Sequence, residues 1–248
     1  MTRVKICGCR SIEQALAAAE AGADFVGLMF APSSRRRVEV EDASEIVRAL
    51  GAPLADLEME TPPALYRTES DDLRSWFEHG ASALERMLER KRPLTVGVFA
   101  GNDPEEINEV VDECGIDLIQ LSGGEPWGAC LLANRQVIKA LHVRGDDTAS
   151  TALRRVEAGS AMAVMLDKAD DAAFGGTGQA LDWRVAGEIA AAMPVWLAGG
   201  LTPENVAEAV RTVRPLGVDV ASGVESAPGV KDAARMEQFI RRAKEVLR

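Results

Sequence analysis

Two glycine-containing turns near the end of the chain have the residue types of an anion-binding site. Gly199-Gly200 follows one apolar run and precedes a predicted helix, and Ser222-Gly223 follows the next apolar run. Glycine lets the backbone approach a ligand closely, and the first N–H groups of a helix carry partial positive charge, so both turns suit a phosphate group. Neither turn contains a lysine or an arginine, and we therefore expect backbone N–H groups to make most of the contacts.

Two side chains with acid–base chemistry also stand at the ends of apolar runs. Cys7 closes the first run and is followed by glycine, and Asp167 directly follows the run Met162–Leu166. A thiolate can remove a proton, and a carboxylic acid can deliver one, if their surroundings adjust the pKa. The alternatives are a small buried apolar residue at position 7 and a capping carboxylate at position 167.

Short apolar runs, many of them rich in β-branched residues, alternate along the chain with segments of helical period. Eight such units in 248 residues predict a single α/β domain, a (β/α)8 TIM barrel spanning residues 1–248. An open doubly wound sheet fits less well, because no GxGxxG follows the first strand. In a barrel the reacting groups follow the carboxyl ends of the strands, so the residues named above would share one face. The predicted strands are Val4–Cys7, Phe25–Phe30, Leu94–Phe99, Leu118–Leu121, Val137–Leu141, Met162–Leu166, Val195–Ala198 and Val218–Val220.

A Gly-x-Asp sequence recurs where a predicted helix gives way to a strand. It stands at Gly22–Asp24, Gly115–Asp117 and Gly217–Asp219. Glycine adopts the left-handed backbone that ends many helices, so each of these glycines is predicted to cap a helix. Pro104 and Pro203 follow residues that can cap a helix start and are predicted at the first helical position.

One segment interrupts this alternation and is predicted to be an insertion. Residues 51–93 separate the second helix from the third strand. Within them, Ser70–Arg90 predicts an amphipathic helix, or two helices broken near Gly80. The segment is either an excursion on the face opposite the predicted catalytic one or a functional lid. Connections from a helix to the next strand emerge on the opposite face, which favours the excursion.

Charge and composition narrow the class of protein. The 39 acidic and 28 basic residues give a formal net charge of −11, which opposes non-specific binding to nucleic acid or to an anionic membrane. Against this charge, the run Arg35-Arg36-Arg37 favours capture of an anion over a solvated loop. The apolar runs are too short for a membrane helix, and the N-terminus has no signal-type apolar stretch. Neither ligand-spaced His/Cys/Asp clusters nor a dinucleotide motif is found, so no metal and no organic cofactor are expected.

The cysteines indicate a reducing compartment. Cys7, Cys9, Cys114 and Cys130 form no CxxC pair and lie inside or beside apolar runs. Reduced thiols therefore fit better than a disulfide framework, and a cytoplasmic location is expected.

Six motifs of the chain form a specific combination. They are Lys5-Ile6-Cys7-Gly8, Gly27–Phe30 with Arg36, Leu166-Asp167, Phe174–Gly178, Ala198–Val206 and Val218–Glu225. Together they resemble the phosphoribosylanthranilate isomerase family of tryptophan biosynthesis over nearly the whole chain outside 51–93. The resemblance implies a TIM barrel and an aldose–ketose isomerase, which is an intramolecular oxidoreductase. Its reaction is an Amadori rearrangement of the phosphosugar N-(5-phosphoribosyl)anthranilate to the 1-deoxyribulose 5-phosphate aminoketose. We expect a monomer or a homodimer.

The resemblance also implies a role for each residue of the predicted catalytic face. Cys7 matches the family's general base and Asp167 its general acid. Arg36 matches the arginine that binds the anthranilate carboxylate, a task suited to a planar fork of donors. Gly176 lies in a Gly-Gly-Thr-Gly loop that is expected to close over the phosphosugar and exclude water. The phosphate site comprises Gly199, Gly200, Ser222 and Gly223.

The chain departs from the family's usual pattern mainly at the aromatic-acid end of the expected substrate. Ser122 stands where the family has a histidine facing the pocket, and Gly124 stands where it has an acidic residue. Cys9-Arg10 replace an aliphatic residue and a threonine. We expect Ser122 still to line the pocket but to weaken recognition, with Arg36 carrying more of it, unless Arg10 or the insertion supplies a substitute.

Two other functions remain open on the sequence. One is isomerisation of a related aminoaldose phosphate, as in histidine biosynthesis, although those barrels use an aspartate where this chain has Cys7. The other is a non-catalytic phosphosugar-binding barrel. The replacement at Ser122 supports this second alternative, and the presence of both Cys7 and Asp167 opposes it.

Overall fold

The computed structural model describes residues 1–54, 69–168 and 181–246 of the chain. Eight parallel strands pair in sequence order and close into a barrel, which confirms the predicted architecture. Each predicted strand agrees with an observed one to within one or two residues at either end. The strands are β1 Arg3–Cys7, β2 Phe25–Met29, β3 Leu94–Phe99, β4 Leu118–Leu121, β5 Val137–Val143, β6 Ala163–Lys168, β7 Trp196–Leu197 and β8 Gly217–Val220.

Helices connect the strands around the outside of the barrel. The α-helices are α1 Ile12–Glu20, α2 Val40–Leu50, α3 Glu69–Arg90, α4 Pro104–Cys114, α5 Ala149–Leu153, α6 Trp183–Ala192, α7 Val206–Val213 and α8 Ala233–Glu245. The connection between β4 and β5 contains a 3₁₀-helix, Trp127–Leu132, and Ser222–Val224 forms another one. After β8, the short strands β9 Glu225–Ala227 and β10 Val230–Lys231 pair as an antiparallel hairpin.

The start of α7 differs from the prediction. Pro203 lies in a turn, and α7 begins only at Val206. The turn is closed by the Thr202 N–H, which donates to the Asn205 side-chain oxygen at 2.8 Å, and by the Asn205 N–H, which donates to the Thr202 carbonyl. These local hydrogen bonds compete with an earlier helical turn, so Gly199-Gly200 does not directly precede the helix.

Side chains on each strand alternate between the barrel interior and the surrounding helices. On β5, Ile138 belongs to the apolar cluster inside the barrel, whereas Val137, Leu141 and Val143 pack in the cluster that includes the helices. This period-two alternation follows from the pleat of the strand. It places His142 on the inward side of β5, at the carboxyl end of the barrel.

Helix α3 closes the amino-terminal end of the barrel. Leu84, Met87 and Leu88 pack among the interior side chains of the strands, and the Trp76 indole N–H donates to the Ala161 carbonyl just before β6 at 2.6 Å. The described part of the segment 51–93 therefore lies opposite the carboxyl ends of the strands, as an excursion there requires. A lid over the carboxyl ends would need the other face.

Of the two alternatives predicted for Ser70–Arg90, the single helix is correct, because α3 is continuous through Gly80. A Cβ atom built on Gly80 would overlap the carbonyl oxygen of Met162. Glycine is required here for close approach of the helix to β6, and the helix does not bend at it.

Two of the three Gly-x-Asp sequences end a helix as predicted. Gly22 and Gly115 have positive φ angles of 91° and 72°. Gly217 does not, because it already lies in β8, and Arg214 adopts the left-handed conformation at the end of α7 with φ 54°. At Gly217 a Cβ atom would collide with the Trp196 ring, so close packing requires this glycine.

The aspartates of the first two sequences hold the neighbouring strand. The Val4 N–H donates to the Asp24 carboxylate at 2.8 Å, and the Thr95 N–H donates to the Asp117 carboxylate at 2.8 Å. Each carboxylate also pairs with cations, Arg92 and Lys244 at Asp24 and Lys91 at Asp117. Among the described residues, no helix is both long and apolar enough to cross a membrane.

Candidate active site

Polar side chains at the ends of strands β1, β4, β5 and β6 meet at the carboxyl end of the barrel. Cys7 ends β1, Ser122 follows β4, His142 lies near the end of β5, and Asp167 lies near the end of β6. Each has the same parity along its strand as a residue of the interior apolar cluster. The four side chains therefore share the mouth of the barrel.

Cys7 is buried beside a lysine. Cys7 is only 3% exposed. A Cβ atom built on Gly27 would lie 3.0 Å from both the Cys7 Sγ and the Lys5 Nζ. Burial raises the pKa of the Cys7 thiol above its usual value, although the Lys5 and Lys231 ammonium groups act to lower it. Cys7 is thus a thiol whose ionised form has two nearby cations.

Lys5 is itself held by a carboxylate inside the barrel. Its Nζ lies 2.8 Å from the Asp219 Oδ1, and its side chain is fully buried. Burial opposes the charged form of Lys5, but Asp219 and Cys7 raise its pKa above the usual value. Lys5 belongs to the first sequence motif, but the sequence assigns it no role, because its distance from Cys7 depends on how side chains pack inside the barrel.

Arg36 forms a bidentate ion pair with the Glu225 carboxylate, at the start of β9. Its Nε and Nη2 donate to the two Glu225 oxygens at 2.6 and 2.9 Å, and the buried Lys231 donates to Glu225 at 3.0 Å. Burial acts to raise the pKa of Glu225, but these hydrogen bonds and charges lower it to about 2. Glu225 and Lys231 were missed by sequence reasoning as functional residues, since they lie far from Arg36 in the chain.

Asp167 lies half-buried next to the first glycine turn. Its Oδ1 accepts a hydrogen bond from the Lys168 N–H at 2.8 Å, and a Cβ atom on Gly199 would lie 3.1 Å from the same oxygen. The candidate acid is therefore adjacent to one side of the candidate phosphate site.

The two glycine turns are brought into contact by the barrel. Gly199 and Gly200 have φ angles of 86° and 75°, and a Cβ atom on Gly223 would overlap the Leu201 carbonyl oxygen. Behind them, the Arg235 guanidinium donates to the Gly223 carbonyl at 2.9 and 3.2 Å. Within the described part of the chain, the Gly200 N–H has no hydrogen-bond acceptor. Ser222 begins a 3₁₀-helix, whereas α7 starts only at Val206, so Gly199-Gly200 does not lie directly before a helix as predicted.

Ser122 directly follows β4, and its hydroxyl oxygen accepts a hydrogen bond. The buried Gln120 side chain donates to the Ser122 Oγ at 2.8 Å. His142 Nε2 lies 3.0 Å from the Ser122 carbonyl oxygen. His142 directly follows the predicted strand Val137–Leu141, but the sequence assigns it no role, because its inward direction depends on the register of β5.

Gly176 and the rest of the Gly-Gly-Thr-Gly loop lie outside the described residues. Within residues 1–54, 69–168 and 181–246, no three His, Cys, Asp or Glu side chains are grouped so that they could hold a metal ion. All four cysteines are free and buried.

Comparison with protein families agrees with this arrangement. The family model for N-(5′-phosphoribosyl)anthranilate (PRA) isomerase matches residues 59–242. The chain belongs to this family. The matched range begins inside the segment 51–93, so most of that segment lies within it. An N-(5′-phosphoribosyl)anthranilate isomerase of Geobacter sulfurreducens is 41% identical, with 98% of this chain and 99% of the relative aligned.

Solved structures of this isomerase family have the same fold. The phosphoribosyl anthranilate isomerase of Thermotoga maritima is 34% identical and superposes with a TM-score of 0.73, covering 98% of this chain and 99% of that one. A second structure, 32% identical with a TM-score of 0.70 over 98% of this chain and 99% of that one, holds reduced 1-(o-carboxyphenylamino)-1-deoxyribulose 5-phosphate. Another Thermotoga maritima structure, 31% identical with a TM-score of 0.71 over 98% of this chain and 99% of that one, is of monomers generated from a dimeric isomerase.

Proposed function

We propose that this member of the isomerase family converts N-(5-phosphoribosyl)anthranilate to its aminoketose with Cys7 as the base and Asp167 as the acid. The observation that carries the proposal is the shared mouth of the barrel, where both groups face the space between Arg36 and the glycine turns.

The chemistry requires one proton donor and one proton acceptor. Asp167 donates a proton to the furanose ring oxygen, the bond from that oxygen to C1′ breaks, and an open Schiff base forms. The Cys7 thiolate removes the proton from C2′, and the electron pair moves toward C1′ and the nitrogen. Return of a proton to C1′ and loss of the enol proton from the C2′ oxygen complete the aminoketose.

The substrate has an anionic group at each end, and the site has a match for both. The phosphate fits the backbone N–H groups of Gly199, Gly200, Ser222 and Gly223. Arg36 fits the anthranilate carboxylate with the N–H groups that Glu225 does not use. Gly176 would add a loop over the phosphosugar.

The location and assembly of the enzyme follow as proposals. The free cysteines support a cytoplasmic location. The dimeric relative supports a homodimer, and a monomer is the alternative; sedimentation equilibrium distinguishes the two.

A fluorescence assay of phosphoribosylanthranilate consumption tests the assignment. We expect Cys7→Ser and Asp167→Asn each to lower turnover by at least about 10²-fold, the scale of a positioned base or acid, while inorganic phosphate still binds. Cys9→Ala is the matched control, because Cys9 is fully buried with a pKa raised to about 12 and packs outside the barrel interior.

Three results would contradict the proposal in different ways. Wild-type rates in either variant would exclude that residue as base or acid. An inactive wild-type protein that binds phosphate would support the non-catalytic barrel instead. Faster turnover of the aminoaldose phosphate of histidine biosynthesis would change the substrate.

A further inference from the structure

His142 contacts Ser122 at the carboxyl end of the barrel. The imidazole Nε2 lies 3.0 Å from the Ser122 carbonyl oxygen, and the ring is half-buried at the barrel mouth. Its register partner on β6 is Asp167. The His142 imidazole, on β5, therefore lies between Ser122 after β4 and Asp167 on β6.

The contact with Ser122 determines how this ring can bind a ligand. A carbonyl oxygen only accepts hydrogen bonds, so Nε2 must carry the proton. In the neutral ring Nδ1 is then an acceptor. Nδ1 has no hydrogen-bond partner among the described residues, and the Ser122 Oγ accepts a hydrogen bond from Gln120 while keeping its O–H as a donor. The ring therefore keeps one free acceptor atom beside the Ser122 hydroxyl.

The two substitutes considered from the sequence are placed elsewhere. The Arg10 guanidinium lies beside Gly229, where a Cβ atom would be 3.1 Å from its Nη1, on the β9–β10 hairpin. Helix α3 closes the opposite end of the barrel. Neither Arg10 nor the described part of the segment 51–93 contacts Ser122, whereas His142 does.

We propose that His142 is a substrate-binding residue of this isomerase, which accepts a hydrogen bond at Nδ1 from a hydroxyl or amino group of the sugar–anthranilate part of the substrate. His142 thereby supplies from β5 the imidazole that position 122 lacks. The inference rests on the proposed function for the identity of the substrate. It extends that function by naming a residue that determines specificity in this chain.

The test compares four proteins: wild type, His142→Ala, Ser122→His and the double variant. We expect His142→Ala to lower kcat/KM by about tenfold and to weaken binding of reduced 1-(o-carboxyphenylamino)-1-deoxyribulose 5-phosphate by a similar factor. Ser122→His alone should change kcat/KM by less than about threefold, but in the His142→Ala background it should recover most of the loss. This non-additivity is the signature of two side chains that fill one role.

Three control variants separate binding from a structural role. His142→Gln offers both an amide N–H donor and an oxygen acceptor, so it should retain more activity than His142→Ala, whereas His142→Phe has a ring without a hydrogen-bonding atom and should lose activity as His142→Ala does. His79→Ala changes the other histidine, on α3 at the far end of the barrel, and should leave kcat/KM unchanged.

Several outcomes would overturn the proposal. These are unchanged kcat/KM and binding in His142→Ala, full activity in His142→Phe, or an equal effect of Ser122→His in both backgrounds. The binding measurement does not need turnover. If the wild-type protein is inactive, the proposed function fails, while equal affinity of wild type and His142→Ala for the reduced compound separately overturns the role of His142.

Discussion

Charged side chains of alternating sign surround the Cys7 thiol. The Lys5 and Lys231 ammonium groups favour its ionised form, and the Asp219 carboxylate opposes it. Each lysine has a carboxylate of its own, at 2.8 Å for Lys5–Asp219 and 3.0 Å for Lys231–Glu225. Buried charges are tolerated when they are paired and hydrogen-bonded. The site therefore offers positive potential to a thiolate without leaving an unpaired buried cation.

Replacing Glu225 tests whether Arg36 must be held in place. Glu225→Gln keeps the size of the side chain but removes the charge that binds the Arg36 fork and Lys231. We expect kcat/KM to fall by about tenfold, mostly through KM, because Arg36 loses the bidentate partner that orients it. Steady-state kinetics measure the split. Glu39→Gln, which removes the exposed partner of Arg37, should stay within about twofold, and an unchanged KM in Glu225→Gln would refute the positioning role.

The same carboxylate predicts the acid end of the stability curve. The pKa of Glu225 is lowered from 4.5 to about 2 in the folded protein. A carboxylate whose pKa is lowered by folding stabilises the folded state at pH values above its unfolded pKa. This contribution is lost as the pH falls from the unfolded pKa to the folded pKa. Urea unfolding of wild type and Glu225→Gln should therefore differ most near about pH 7 and converge toward about pH 2. A difference that stays constant over this range would contradict the linkage.

At the scale of elements, α3 contributes by closing the barrel end. Its contact with β6 depends on the absence of a side chain at Gly80, where a Cβ atom would overlap the Met162 carbonyl oxygen. The indole of Trp76 and the Arg74 guanidinium, which donates to the Ala191 carbonyl, bind α3 to the same side of the barrel. Helix α3 thus contributes to the core, although the sequence predicts an insertion outside the strand–helix alternation.

Gly80→Ala should destabilise the protein despite the better helix propensity of alanine. In an exposed helix the change would gain about 1 kcal/mol, but the overlap forces α3 away from β6 and should cost about 1–3 kcal/mol. Chemical unfolding gives the difference. Gly128→Ala is the matched control, because a Cβ atom there meets no atom within 4 Å.

This variant also tests where α3 lies. Because α3 is at the end opposite the candidate site, kcat of folded Gly80→Ala should equal that of wild type. Unaltered stability would show that the close contact is absent, and a large loss of kcat in the folded variant would place α3 near the chemistry.

At the scale of the whole molecule, the barrel joins distant parts of the chain around one ligand. Phosphate binding to the turns after β7 and β8 should stabilise the native state of the whole chain. Inorganic phosphate at about 100 times its Kd contributes about 2.7 kcal/mol, or a rise in Tm of roughly 5–10 °C for a chain of this size. Calorimetry with and without phosphate measures it.

Gly223→Ala is the variant that should abolish this shift. A Cβ atom at Gly223 overlaps the Leu201 carbonyl and separates the two turns, whereas at Gly124, the control, it meets no atom within 4 Å. If phosphate raised the Tm of Gly223→Ala as much as that of wild type, the anion site would not be at these turns. If Gly124→Ala also lost the rise in Tm, the loss in Gly223→Ala would not be specific to the turns.

Much of this arrangement could be predicted from local sequence. The strands, most helices, the caps at Gly22 and Gly115 and the placement of Cys7, Asp167 and the glycine turns at strand ends depend on period and on short-range backbone preferences. These signals lie within a few residues of each other, so one chain carries them without reference to its fold. The late start of α7 and the role of Gly217 were missed because side-chain hydrogen bonds and the Trp196 ring overrode the local preference.

The partners of the site residues were decided only by the tertiary structure. Arg36 with Glu225, Lys5 with Asp219, and α3 with β6 are contacts between segments far apart in sequence. His142 and Ser122 meet because β4 and β5 are paired in a particular register. Such contacts depend on barrel closure and strand register, which set distances between side chains that no local pattern encodes. The sequence by itself determined the elements, the end of the barrel that carries the chemistry and the residue types found there, whereas closure of the barrel decided which charges and rings face one another.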